Sequence, residues 1–135
     1  MQSIVLRQIH WDEIQAHLEK CLPFEGCGLF AGRGRLVTEV HRIRNVLRST
    51  TRFQMDSREQ VRILFDFEQS GLDLLGIYHS HPSGPPIPSE VDRHEAAYPG
   101  AVHLICSQGD GGWTCQAFSI DERGLVSRAA IEWAE

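Results

Sequence analysis

The sequence predicts an α/β domain, with one mixed β-sheet and helices packed against it. Three observations carry this reading. Two stretches place apolar residues at helical spacing, while six short runs read as strands, and the two kinds alternate without the strict rhythm of an all-parallel sheet. The 135 residues, 41% hydrophobic and 23% charged, fit a single domain spanning 1–135 with a substantial core. No internal repeat, low-complexity tract or linker divides them.

Residues 3–8 read as a short first strand. A helix over about 11–22 follows, because Ile14, His17, Leu18, Cys21 and Leu22 share one helical face. Asp12 or a neighbour would cap it, and Pro23 stops it. CGLFAG (27–32) reads as a buried strand, with 35–44 as its hairpin partner across Gly32-Arg33-Gly34. A second helix opens on the capping box of Ser57 and Gln60, presents Val61, Leu64 and Phe65 as its apolar face, and closes at Gly71. Residues 72–81 begin as a near-continuous apolar run, the mark of a central strand covered on both faces. A proline-dense loop (82–88) leads to a short helix that opens at Ser89 and ends before Pro99. Residues 102–107 and 113–120 form a hairpin across GDGG, and 125–133 a last strand or mixed segment. With a four-residue loop, Gln108 faces Trp113 and Cys106 faces Cys115. Those two thiols would then be placed for a cross-strand disulfide under oxidation; in a reducing cytosol two packed thiols are expected.

Composition excludes several classes. The four cysteines lack the close pairing of a zinc ribbon and are too few to staple a chain of this length. No apolar run approaches the ~18 residues of a membrane span, and the N-terminus lacks the pattern of a secretory signal. A cytoplasmic location is therefore expected. Net charge is −5, yet residues 33–62 hold eight arginines against Glu39, Asp56 and Glu59, a local +5 that leaves −10 for the rest. That basic middle could face an acidic partner.

The chemistry concentrates in His79-Ser80-His81-Pro82 through Ser89-Glu90-Val91-Asp92. Residues i and i+2 of a strand point to one face, so His79 and His81 aim both imidazoles at one point. Asp92, one turn inside the next helix, can swing back toward it. Two imidazoles and a carboxylate suit Zn²⁺ and leave a position open for water, as catalytic rather than structural zinc sites do. Iron in a two-histidine, one-carboxylate triad, or a structural zinc closed by Cys27, are the other metal readings. Hydrolysis also needs a proton acceptor that does not bind the metal. Glu25, a charge at the mouth of a glycine-rich apolar strand and costly there unless it has a partner, is the candidate. Ser89 is either the cap of its helix or a hydrogen-bond donor to a reacting oxygen. Ser80 is read as support for local geometry, Cys27 as a small buried neighbour of the site, and His10, His17, His41, His94 and His103 as incidental.

The spacing H-x-H-P-x6-S-x2-D, joined to the upstream Pro23-Phe24-Glu25-Gly26-Cys27-Gly28-Leu29 stretch, resembles the JAMM (MPN+) metalloprotease family over residues 3–120. The resemblance implies a curved mixed sheet with cytidine-deaminase-like layering. It implies one Zn²⁺ per chain on His79, His81 and Asp92, with Glu25 as general base and acid and Ser89 as oxyanion donor. The implied reaction is cleavage of a peptide or isopeptide bond at the C-terminal tail of a ubiquitin-like or sulfur-carrier protein. The chain looks like a minimal prokaryotic-type member, without the insertions of the eukaryotic deubiquitinases; a homodimer is left open. It also echoes the RadC-type branch, but carries Ser80 where that branch usually has Asn and lacks its helical DNA-binding extension. Two competing readings are a metal-bearing scaffold without hydrolysis and a nucleic-acid-associated role, which the net charge of −5 opposes.

Overall fold

The computed structural model describes residues 2–135. Among them seven strands and three helices follow in the order β1 (Ser3–Arg7), α1 (Gln8–Cys21), β2 (Cys27–Arg33), β3 (Leu36–Ile43), α2 (Ser57–Gln69), β4 (Asp73–His81), α3 (Glu90–Glu95), β5 (Val102–Gly109), β6 (Gly112–Ile120) and β7 (Val126–Ala134). One mixed sheet runs β1-β3-β2-β4-β5-β6-β7. Its curvature carries it to closure: β1 meets β3 at the Val5–Leu36 pair and runs parallel to β7 from Ser3–Ala130 to Arg7–Ala134. β2, β4 and β5 form the centre, with β4 antiparallel to β2 and parallel to β5. No helix among the described residues is long and apolar enough to cross a membrane.

Strand alternation sorts the core into two sides. Phe30 and Tyr78 face α1, where they pack with Ile14, Leu18 and Leu104. Leu29 and Ile77 face α2, where they pack with Ile63 and Phe67. Two glycines make the first arrangement fit. Gly28 lies opposite Tyr78, and a Cβ there would stand 2.3 Å from the ring; Gly76 lies opposite Phe30, where the clearance would be 2.0 Å. Each aromatic ring therefore lies flat across a glycine of the neighbouring strand. Continuing the alternation along β4 puts His79 and His81 on the α2 side.

Some expectations change. α1 begins at Gln8, and its N-cap, Arg7, offers no side-chain bond. Asp12 sits inside the helix and accepts from Gln8 Nε2 at 2.8 Å, so it caps nothing. The α2 cap is Asp56 rather than Ser57, its carboxylate accepting from the N–H groups of Arg58 and Glu59. The buried face of α2 is Ile63 and Phe67 with Leu64 packed beside them as expected, whereas Val61 is 67% and Phe65 58% exposed. Five apolar residues spread around this helix, so periodicity alone does not choose its inner face. Gly71 does close it, at φ +69°.

The β5–β6 hairpin turns through two residues, because Gly109 pairs with Gly112. The register is the same as for a four-residue loop, so Gln108 faces Trp113 and Cys106 faces Cys115, both thiols free. Residues 126–134 form a full strand that closes the sheet on β1.

Candidate metal centre

The centre sits where β4 ends and the chain crosses to parallel β5. His79 and His81 occupy the last turn of pleat. Four prolines (82, 85, 86 and 88) then stiffen the return, and α3 brings Asp92 back. A reciprocal capping box fixes that helix: Ser89 Oγ accepts from Asp92 N–H at 3.0 Å, and Asp92 Oδ2 accepts from Ser89 N–H at 2.9 Å. The carboxylate that starts the helix is thus held by it.

His79 Nε2 lies 3.2 Å and His81 Nε2 2.9 Å from Asp92 Oδ2, and the two imidazole nitrogens are 3.1 Å apart. All three side chains are largely shielded, with exposures of 2%, 11% and 9%. The three form one potential metal-holding group whose donor atoms lie within 4.8 Å of one another. Cys27 stands outside it; its thiol donates toward the Ile43 carbonyl at 3.5 Å.

The two imidazoles are oriented by different means. His81 Nδ1–H donates to the Pro85 carbonyl at 2.8 Å, which leaves Nε2 to face the centre. His79 Nδ1 is buried without a hydrogen-bond partner among the described residues. Its ring is held instead by stacking on Phe53, with centroids 4.6 Å apart and an interplanar angle of 29°.

Electrostatics follow from burial and from the shared carboxylate. Burial pushes the His79 pKa down, against the pull of Asp92. Burial also opposes a proton on His81, but Asp92 and the Pro85 carbonyl outweigh it, so its pKa rises. Burial likewise opposes charge on Asp92, yet the bonds from His79 and His81 hold its carboxyl well below the usual carboxylate range. In this arrangement the carboxylate favours a proton on His81, while burial disfavours one on His79. A divalent cation could take the place of that proton, and the donor set of two nitrogens and one oxygen fits such an ion.

Glu25 precedes β2 and is 2% exposed, with Oε1 buried and unpartnered among the described residues. Burial pushes its pKa up to about 8; His81 pulls against this and Asp92 adds to it. Its backbone is clamped on both sides. The N–H donates to Ser49 O at 2.8 Å, and the carbonyl accepts from Asn45 Nδ2 at 3.0 Å. Glu25, His81 and Ser89 line one cleft of about 380 Å³.

All five residues singled out in the sequence therefore meet in one region. Ser89 does cap α3, but the cap uses only the acceptor side of the hydroxyl; its O–H proton stays available to the cleft. Ser80, fully buried, supports the geometry as expected: its Oγ accepts from Gly26 N–H at 2.9 Å. Cys27 is buried and pairs with His79 across the sheet. His94 lies on the exposed side of α3, near Glu90.

Three contributors were not legible in the sequence. Asn45 ties Glu25 to the 45–54 loop, with its Oδ1 accepting from Leu47 and Gln54 N–H groups. Phe53 packs on His79. His103, read as incidental, is 6% exposed and lines a cavity of about 490 Å³ together with His79 and Asp92. Burial and the nearby His79 lower its pKa to about 4. In the sequence Asn45 is only an asparagine after a strand, and nothing local links Phe53 to His79.

Comparison with known proteins agrees with this arrangement. The family model described as prokaryotic homologs of the JAB domain matches residues 7–120. Desampylase of Haloferax volcanii is 43% identical over 103 residues, which cover 74% of this chain and 73% of that protein. CysO-cysteine peptidase of Mycobacterium tuberculosis is 32% identical over 109 residues, covering 79% of this chain and 75% of that one. A protein from Desulfitobacterium hafniense, solved in solution, superimposes with a TM-score of 0.87 at 35% identity, over 98% of this chain and 93% of its own.

Proposed function

The chain belongs to the prokaryotic JAB family, and from that premise we propose that it is a zinc-dependent hydrolase acting at the C-terminal tail of a ubiquitin-like or sulfur-carrier protein. The bond cleaved is a peptide or isopeptide bond. The observation that carries this is the placing of Glu25, buried and unpartnered, in the same cleft as His81 and Ser89, beside the convergence of His79, His81 and Asp92.

His79 Nε2, His81 Nε2 and Asp92 Oδ2 would hold one zinc ion per chain. When bound, the ion supplies a Lewis acid that lowers the pKa of water and polarises a carbonyl. The chain's own residues do the rest. The His81–Pro85 hydrogen bond and the Phe53 stack keep both imidazoles aimed inward. The Glu25 carboxylate takes the proton of the attacking water and passes it to the leaving amine. A base poised near neutrality suits both halves of that task, and burial moves Glu25 in that direction. The free O–H proton of Ser89 donates to the oxygen on which charge develops. The cleft at Glu25 is lined by Gly84, Pro85 and Thr51, small or rigid groups that admit an extended tail of small residues.

The test is cleavage of a ubiquitin-like protein fused at its tail to a reporter protein. Activity should stop with a chelator and return with stoichiometric zinc. His81→Ala should lose both the metal, measured by elemental analysis, and the activity. Cleavage that persists in fully metal-free protein would overturn the reading.

A further inference from the structure

The basic middle of the sequence is not spread evenly over the surface. Arg35, Arg44 and Arg52 are each engaged in an ion pair, with Glu132, Asp56 and Glu95. Arg42, Arg48, Arg62 and Lys20 are exposed, and no carboxylate lies within ion-pair distance of them among the described residues. These four converge. They line one groove of about 610 Å³ between the end of α1, the end of β3 and α2. Arg48 lies over the Phe24 ring, 5.3 Å from its centroid, which holds its cation at the wall of the groove. Burial lowers the His17 pKa to about 4, and Arg42 and Lys20 beside it push the same way.

Charge balance around the groove is one-sided. Two carboxylates line its wall: Glu59, which already accepts from the Arg44 N–H at 3.2 Å, and the buried Glu25. At its inner end the groove reaches Glu25, the residue that also lines the cleft beside the metal centre. Cleft and groove thus share one lining residue, so a protein held at the cleft has the groove beside it.

We propose that this groove docks an acidic segment, rich in Asp and Glu, of the protein whose tail enters the cleft. The proposal rests on the hydrolase reading above and adds to it the chemistry that selects the partner. Several partly solvated charges at a rim give selectivity and faster association, and they lose their effect in salt. A free carboxylate-rich protein segment satisfies all four cations at once. Nucleic acid would also be attracted, and it becomes an outcome of the test.

Two synthetic tail peptides test this, both ending in the same Gly-Gly coumarin amide. One carries six Asp and Glu residues upstream, the other six Gly and Ser residues. The wild-type protein should favour the acidic peptide by about tenfold in kcat/KM at low salt, as expected for a few exposed charge pairs acting together. The preference should reside in KM, vanish at 0.5 M NaCl, and vanish in R42A/R48A/R62A. Equal kcat/KM for the two peptides in the wild type would overturn the proposal. In parallel, anisotropy of the fluorescein-labelled acidic peptide on the Glu25→Gln protein reads binding without hydrolysis. Salt-sensitive binding there with no cleavage by the wild type would sink the hydrolase reading and keep the groove. Absence of binding, or binding of a single-stranded oligonucleotide in preference to the peptide, would remove the groove's assignment.

Discussion

Ser80 holds Gly26 twice: the Ser80 N–H donates to the Gly26 carbonyl at 3.1 Å, and the Gly26 N–H donates to Ser80 Oγ at 2.9 Å. Ser80 lies between His79 and His81, and Gly26 follows Glu25. The strand that carries two metal-facing imidazoles therefore also fixes where the carboxylate stands. A residue on the opposite face of β4 from the histidines sets the spacing of the site.

Ser80→Ala removes the partner of a buried N–H and should cost about 1–3 kcal/mol in urea unfolding. Zinc content should stay at one per chain while kcat falls, because Glu25 loses its anchor and the ligands do not. Unchanged kcat at unchanged zinc content would show that Ser80 does not position Glu25.

Ser89 carries two separable loads. Ser89→Ala should lose ~1 kcal/mol of stability through the cap, and about 10²-fold in kcat through the missing donor. Ser89→Asp restores a cap acceptor but offers no proton, so it should recover the melting temperature and not the rate. Recovery of both would leave Ser89 with capping alone.

Glu25 imposes a pH dependence on the metal-free protein. Its folded pKa, about 8, stands above the ordinary carboxylate value of 4.5. A group raised in this way contributes stability that is fully present below 4.5 and is lost as pH rises through about 8. Metal-free Glu25→Gln lacks that loss. Its melting temperature relative to wild type should climb between those two pH values; a gap that stays flat across them would contradict a buried, raised carboxyl.

Gly28→Ala should be destabilising, because the added methyl would stand 2.3 Å from the Tyr78 ring. Forcing a packed ring aside costs about 1–3 kcal/mol. Tyr78 also accepts or donates a 2.7 Å hydrogen bond with His17 Nδ1, so the ring cannot slide without breaking it. A small loss in the double variant G28A/Y78A relative to Y78A alone would confirm the contact.

What could be read from the sequence was set by how local the signals are. The i, i+2 pair His79–His81 and the Ser89–Asp92 box are each written within four residues, and both stand where spacing puts them. The Cys106–Cys115 register came from hairpin symmetry, which a two-residue and a four-residue turn share. Helix α2 was mis-faced because Val61 and Phe65 are as apolar as the Ile63 and Phe67 that are buried. Only the strands behind the helix decide between those faces. Closure of the sheet by β1 on β7 joins the two ends of the chain, and no local pattern records it. Asn45, Phe53 and His103 reach the site through loop and strand packing in the same way.

The most direct test of the account is the initial rate at which zinc-loaded Glu25→Gln cleaves a tail-fused ubiquitin-like protein, beside its zinc content. One zinc per chain is expected, with loss of cleavage by at least about 10²-fold, the scale of a general base. Wild-type cleavage at full zinc content would contradict it.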